Sequence, residues 1–89
     1  MAPVAELEES EAKTEVEPVG LRIALIRTCQ RRTARDLAKA AGIGHVGLSK
    51  IERSWGVPKL ETLERISAAL GVTLEEVIKG TEVESKYLK

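Results

Sequence analysis

The sequence predicts a small all-α domain of five short helices packed compactly around one core. Apolar residues recur every three or four positions across residues 19–80, which is the spacing of amphipathic helices. Glycines follow several of these segments, which is typical of helix ends. Two of the segments are preceded by a threonine with an acidic residue three positions later, which is typical of helix starts. Aromatic residues make up only 2% of the chain, so the core must consist of aliphatic side chains.

Residues 19–30 form the first predicted helix, directly after Pro18. Its expected inward-facing side chains are aliphatic: Leu21, Ile23, Leu25 and Ile26. Thr33 is predicted to cap the second helix, because Asp36 follows three residues later in a short-armed form of the capping box. The second helix is expected to end at Gly42, since glycine adopts the left-handed conformation at little steric cost.

The third helix is expected at residues 45–53, with Gly44 at its N-cap. At about 100° per residue, its positions divide into two faces. Gly47, Leu48 and Ile51 are expected to face the core. The other face remains available to a ligand and consists of His45, Val46, Ser49, Lys50 and Arg53. Two short helices joined by a tight glycine turn form the helix-turn-helix unit, which places its second helix in the DNA major groove.

Residues 54–58 are predicted to form a loop in which Trp55 covers the end of the core. The fourth helix is expected at residues 60–70 and ends at Gly71. Its expected inward-facing residues are spaced three or four positions apart on one stripe: Leu60, Leu63, Ile66, Ala69 and Leu70.

The fifth helix is expected to begin at a full capping box formed by Thr73 and Glu76. It ends at Gly80. Three alternatives remain open for the C-terminal extension at residues 81–89: it frays, it extends the helix, or it pairs as a strand in a dimer contact.

The chain therefore divides into residues 1–18, a helix-turn-helix domain at residues 19–80, and the C-terminal extension. The first part is predicted to be a disordered acidic tail, because it holds six acidic residues against one basic residue. The tail either solubilises the domain or folds back on its basic surface and competes with DNA. Residues 20–89 hold eight acidic and thirteen basic residues, a formal charge of +5, which favours contact with phosphates.

Several functional classes are excluded by what the sequence lacks. No apolar run approaches the roughly 20 residues of a membrane span, and no secretion signal is present. The single cysteine, Cys29, cannot form an intrachain disulfide, which fits a reducing cytoplasm. No nucleophile–base pair or phosphate-binding glycine loop is visible, and His45 is the only histidine. We therefore predict a cytoplasmic protein that is not an enzyme and needs no metal or cofactor.

From Leu21 to Gly80, about two thirds of the chain, the sequence resembles phage-repressor-type helix-turn-helix proteins, the Cro-like or XRE-type family. The matching segments, in order, are DLAKAAGI, LSKIER, LETLERISAALGV and LEEVIKG. The resemblance implies a five-helix lambda-repressor-like fold with the third helix as recognition helix. It also implies a homodimer that binds a palindromic double-stranded operator and regulates transcription as a repressor.

The resemblance further implies a role for individual residues. The positions that match base contacts are His45, Val46, Ser49 and Lys50. The candidates for phosphate contacts are Arg31, Arg32, Thr33, Arg35, Arg53 and Lys59. Arg31 and Arg32 stand where the family usually has Gly-Leu, so these two and Arg35 are candidates because of their charge and not because of the resemblance. Arg27 and Glu52 match a structural ion pair that ties the first helix to the third.

The sequence departs from the family pattern at two places that touch DNA in relatives. Ala34 stands where a glutamine often braces the recognition helix, and the loop after that helix, often basic, is Trp55-Gly56-Val57. Together with the acidic tail, these departures keep an alternative open. In it, the chain is an antitoxin-like or adaptor module whose main partner is a protein, such as a toxin.

Overall fold

The computed structural model describes residues 16–87, which form six α-helices. The helices are α1 (Val19–Cys29), α2 (Ala34–Ala41), α3 (His45–Glu52), α4 (Leu60–Leu70), α5 (Leu74–Ile78) and α6 (Glu84–Tyr87). The described residues contain no strand beyond one isolated bridge between Glu17 and Thr81. The predicted all-α class is confirmed, with one short helix more than the sequence indicates. No described helix has the length and apolar character needed to cross a membrane.

The core is aliphatic, as the low aromatic content predicts. Every helix from α1 to α5 contributes buried side chains, which together are Val19, Ile23, Leu37, Ala38, Ala41, Leu48, Leu63, Ile66, Leu70, Val77 and Ile78. Helix α3 packs against both α1 and α2, and it does so through Leu48, which is fully buried. Ile51 also packs against the core, and four of the eight residues of this helix are exposed: His45, Val46, Gly47 and Lys50.

The helix starts follow the predicted capping chemistry. The Thr33 hydroxyl accepts a hydrogen bond from the Asp36 backbone NH at 3.0 Å. At α5, the Thr73 hydroxyl accepts from the Glu76 NH at 3.1 Å, and the Glu76 carboxylate accepts from the Thr73 NH at 2.8 Å. These bonds satisfy NH groups that have no partner inside the helix.

Helices α1 to α4 all end in the same hydrogen-bonded turn around a left-handed residue: Arg31, Gly42, Ser54 and Gly71. In each turn, the NH of the left-handed residue donates to the carbonyl three residues earlier. The next NH donates to the carbonyl five residues before it, as in a Schellman motif. The two glycines were predicted at these ends, whereas Arg31 (φ 60°) and Ser54 (φ 62°) adopt this conformation without being glycine.

The prediction that Leu21 and Leu25 of α1 face inward is wrong, because these side chains are 46% and 48% exposed. The buried stripe of α1 runs through Val19 and Ile23, with Ile26 packed against it. Leu21 and Leu25 lie one turn apart on a different face. All five residues are apolar, so the sequence pattern alone did not distinguish the two faces.

Three further residues are more exposed than predicted. Leu60, at the start of α4, is 36% exposed, and Trp55 is 66% exposed instead of covering the end of the core. Gly47 is exposed and has open space where a Cβ would lie. It is about 100° from Leu48 around α3 and only about 60° from Lys50, so it borders the exposed face.

Residues on both sides of the range 19–80 pack onto the domain. The Glu17 NH donates to the Gly80 carbonyl at 3.1 Å, and the Glu17 carboxylate pairs with Arg22 at 2.7 Å. Val19 NH at the start of α1 donates to the Glu82 carboxylate at 2.8 Å. The part of the predicted acidic tail at residues 1–15 lies outside the described residues.

The C-terminal extension forms part of the same core. Val83 is only 1% exposed, and Thr81 is also buried. The hydroxyl of Tyr87, in α6, donates to the Pro58 carbonyl at 2.9 Å. In the described part of this segment, residues 81–87, a bridge at Thr81 is followed by a short helix separate from α5, which packs on its own chain.

Candidate nucleic-acid interface

Helix α3 approaches α1 closely at Gly20. A Cβ at this glycine would collide with the backbone carbonyl oxygen of Ile51, so α3 can lie this near to α1 only if residue 20 has no side chain. The sequence pattern did not single out Gly20 as a residue that positions α3. The available signal was a glycine inside a helix, which usually costs stability and therefore often has a packing reason.

An ion pair fixes the far end of α3. Arg27 donates from Nε to Glu52 at 2.8 Å and from Nη2 to its other oxygen at 3.0 Å. The two side chains are only 16% and 12% exposed. The hydrogen bond with Glu52 raises the pKa of Arg27 while burial opposes this. The pair predicted between Arg27 and Glu52 is therefore present, and it joins α1 to α3.

The open face of α3 contains the residues that the sequence singled out. His45, Val46 and Lys50 are exposed, and Ser49 is half-buried. Val46 is 64% exposed. The acidic residue of α3, Glu52, is paired with Arg27, so the exposed charge of this helix comes from Lys50. The face therefore combines hydrogen-bond donors, one positive charge and an apolar group, within one short helix.

Five of the six residues predicted to contact phosphates are exposed: Arg31, Thr33, Arg35, Arg53 and Lys59. Arg31 lies in the turn between α1 and α2, and Thr33 and Arg35 lie at the start of α2. Arg53 and Lys59 flank the loop between α3 and α4. These residues lie in the chain segments that precede and follow α3.

Arg32 is directed elsewhere and is the exception among the predicted phosphate contacts. It is half-buried, and its Nη1 donates to the Ala69 carbonyl at 2.6 Å. Beside it, the Gln30 amide donates to the Leu70 carbonyl at 2.8 Å. Both side chains therefore satisfy carbonyls at the end of α4, where positive charge is also favoured by the helix dipole. This geometry gives Arg32 an architectural contact with the end of α4.

Residues 23–77 match the model of the Helix-turn-helix family, and this match covers more than half of the chain. The chain belongs to the Helix-turn-helix family. Among curated proteins, it is 37% identical over 60 residues to the immunity repressor protein of Bacillus phage phi105. That alignment covers 67% of this chain, and the chain spans 42% of the length of the phage protein.

Solved structures with the same fold include two regulators seen with DNA. The P22 c2 repressor, in complex with a synthetic operator, has a TM-score of 0.66 at 31% identity, covering 72% of this chain and 97% of the repressor. SinR, a master regulator for biofilm formation, in complex with DNA has a TM-score of 0.64 at 33% identity, covering 66% and 95% of the two chains. SinR has also been solved with the protein SinI. The predicted resemblance to phage-repressor-type proteins is thus confirmed.

Proposed function

We propose that this protein is a sequence-specific regulator of transcription that binds double-stranded DNA as a homodimer and acts as a repressor. The observation that carries the proposal is the open face of α3. This helix is joined to α1 by the Arg27–Glu52 pair and by the close contact at Gly20. The P22 c2 repressor and SinR, which are similar in fold and sequence, have each been solved with DNA. The proposed action is binding in the cytoplasm, without catalysis.

In the proposed complex, α3 lies in the major groove and reads base edges. Lys50 donates to guanine O6 and N7, and Val46 contacts a thymine methyl group. His45 and Ser49 form hydrogen bonds with neighbouring base edges. These four side chains lie within one arc of the helix, so a single insertion of α3 brings all of them to the floor of the groove.

The phosphate contacts orient the domain and supply affinity without reading sequence. The proposed donors are the exposed residues Arg31, Thr33, Arg35, Arg53 and Lys59. Two copies of the domain place their recognition helices in successive major grooves, about 34 Å apart, on a palindromic operator. An operator that overlaps a promoter would then be occluded by the bound dimer, which is the simplest mechanism of repression.

The experiment that tests this proposal is a selection of bound sequences from random duplex DNA at stated salt, with the full chain. We expect a palindromic motif. Lys50→Ala should relax the preference at one base pair in each half-site, at a cost of about 1–3 kcal/mol there. Lys79→Ala is the matched control, because this exposed lysine follows α5 and its removal should leave the motif unchanged. No enrichment from random DNA would contradict the proposal.

A second candidate is an antitoxin-like or adaptor role, in which the main partner is a protein. The SinR–SinI complex supports it, since a similar chain there forms a complex with another protein. Substitutions on the open face of α3 distinguish between the two functions. If His45→Ala and Lys50→Ala leave both DNA affinity and sequence preference unchanged, the proposed DNA mechanism is wrong and the protein partner becomes the primary function.

A further inference from the structure

The positive charge of the described domain is concentrated in one part of the chain. Residues 31–59, which include α2 and α3, hold seven basic and two acidic residues, a formal charge of +5. Residues 60–87, which include α4 to α6, hold three basic and six acidic residues, a formal charge of −3. An acidic ligand is therefore attracted to the surface of α2 and α3 and repelled from that of α4 to α6.

The cations on the open face of α3 have no acidic partner among the described residues. None of the ion pairs there involves Lys50 or Arg53. Glu52, the acidic residue of α3, is paired with Arg27. Val46, on the same face, is 64% exposed. The face therefore combines positive charge that no described carboxylate neutralises with an apolar group, and both are open to a ligand.

The N-terminal segment joins the domain close to this face. The Glu17 NH donates to the Gly80 carbonyl at 3.1 Å, which fixes the chain at that point. Gly20 lies against the backbone of Ile51, at the end of α3. The three residues from 17 to 20 span at most about 11 Å, and fifteen residues span up to about 50 Å. Because α3 is only about 12 Å long, residues 1–15 are long enough to reach its whole open face.

The composition of residues 1–15 matches this face. The segment holds five acidic residues and one basic residue, and it also contains the apolar residues Val4 and Leu7. We propose that residues 1–15 bind to the open face of α3 of the same chain and compete there with DNA. The inference rests on the proposed function, and it favours competition over solubilisation as the role of the acidic tail.

In the proposed contact, glutamates of the segment take the place of DNA phosphates beside Lys50 and Arg53. An exposed ion pair contributes little by itself. A ligand on the same chain, however, is present at an effective concentration in the millimolar range, so several weak pairs are sufficient to hold it. Salt screens exposed charges. The competition should therefore be strong at low ionic strength and fade as salt is added.

The contact is tested directly by zero-length carbodiimide crosslinking of the full chain, with the linked peptides identified by mass spectrometry. We expect amide bonds from glutamates of residues 1–15 to Lys50 or to Lys59, which follows a residue of the same surface hollow. Lys79 and Lys86 are internal controls, because they are exposed in the acidic part of the domain and should remain unlinked to the segment. A saturating duplex should abolish the links to Lys50.

Matched substitutions test the competition. Glu8→Gln with Glu9→Gln removes two acids of the segment, and we expect it to tighten DNA binding about three- to tenfold at about 50 mM salt. At about 300 mM salt the gain should fall below about twofold. The control, Glu64→Gln with Glu75→Gln, removes two exposed acids of α4 and α5 and changes the net charge equally. It should alter the affinity less than about twofold at either salt.

Equal gains from the two pairs of substitutions would assign the effect to net charge and overturn the inference. Links that join two chains would also overturn it, because they place the segment on a second copy. The absence of any link to Lys50 or Lys59 would do the same. In all three cases the proposed function stands as long as the full chain binds DNA. If no duplex binds the full chain or the Glu8→Gln, Glu9→Gln variant, the proposed function fails, and competition with DNA fails with it.

Discussion

At the scale of single residues, the Arg27–Glu52 pair shows how a contact that is distant in sequence positions the candidate site. The two residues are 25 positions apart, and no local periodicity connects them; the family resemblance was the only indication. The same scale explains the contact that Arg32 makes. An arginine in a turn is compatible with phosphate or carbonyl contacts, and only the position of the α4 carboxyl end favoured the Ala69 carbonyl.

Removing one partner of this pair should be costly. For Arg27→Ala, we expect the free energy of unfolding to fall by about 2–4 kcal/mol, because the Glu52 carboxylate is left largely buried without its partner. Urea unfolding measures the loss. The control is the double variant Arg27→Met with Glu52→Leu, which removes both charges and should recover most of the stability. A loss below about 1 kcal/mol for the single variant would show that the pair is not structurally important.

Glycines 20 and 47 should respond in opposite ways to the same substitution. In Gly20→Ala, the new methyl group collides with the Ile51 carbonyl, so we expect a loss of about 2 kcal/mol or more. Gly47→Ala meets nothing within 4 Å and should stabilise α3 by about 0.5–1 kcal/mol through its helix propensity. Thermal unfolding of the two variants, side by side, measures both. Equal effects at the two positions would contradict the close approach of α1 and α3.

At the scale of helices, the predicted boundaries agree with the observed ones where a threonine capping box or a glycine marks the helix end. The range 60–70 predicted for α4 is the observed one, and the capping box of α5 is present. The ends of α1 and α3 were each predicted one residue too long, at turns where Arg31 and Ser54 take the role expected of glycine. Glycine is the residue expected at these places, because other residues pay a steric cost in the left-handed conformation.

The left-handed turn after α3 gives a prediction at this scale. Ser54→Gly should raise the free energy of unfolding by about 0.5–1 kcal/mol, because glycine adopts a φ of 62° without the clash of a Cβ. Gly71→Ala, at the equivalent turn after α4, should lower it by about 1 kcal/mol for the same reason. Urea unfolding at one protein concentration measures both. A destabilised Ser54→Gly variant would indicate that the serine side chain supports the turn.

At the scale of the whole molecule, the domain is closed by segments from both ends of the described chain. Glu82 accepts from the first NH of α1, Glu17 bonds to Gly80, and Tyr87 reaches Pro58. The first two contacts each join positions 63 residues apart, and the third joins positions 29 residues apart. They involve single hydrogen bonds and one buried valine, Val83, none of which produces a repeating pattern in the sequence.

Removing residues 82–89 should therefore destabilise the domain substantially. We expect a loss of about 3 kcal/mol or more, since truncation exposes the core under Val83 and leaves the start of α1 without its carboxylate partner. The matched control removes residues 88–89 only and should unfold at the same urea concentration as the full chain. If both truncated chains are equally stable, the C-terminal extension is not part of the folding unit.

The sequence by itself determined the all-α class, the order of the first five helices, the threonine and glycine caps and the exposed face of α3. These properties follow from local periodicity and from the backbone preferences of Thr and Gly. Only the tertiary structure decided which apolar face of α1 is buried, that Arg32 contacts α4, and that Trp55 remains exposed. Each of these depends on where a neighbouring helix lies, and apolar side chains such as Leu21 and Ile23 have the same local chemistry on either face.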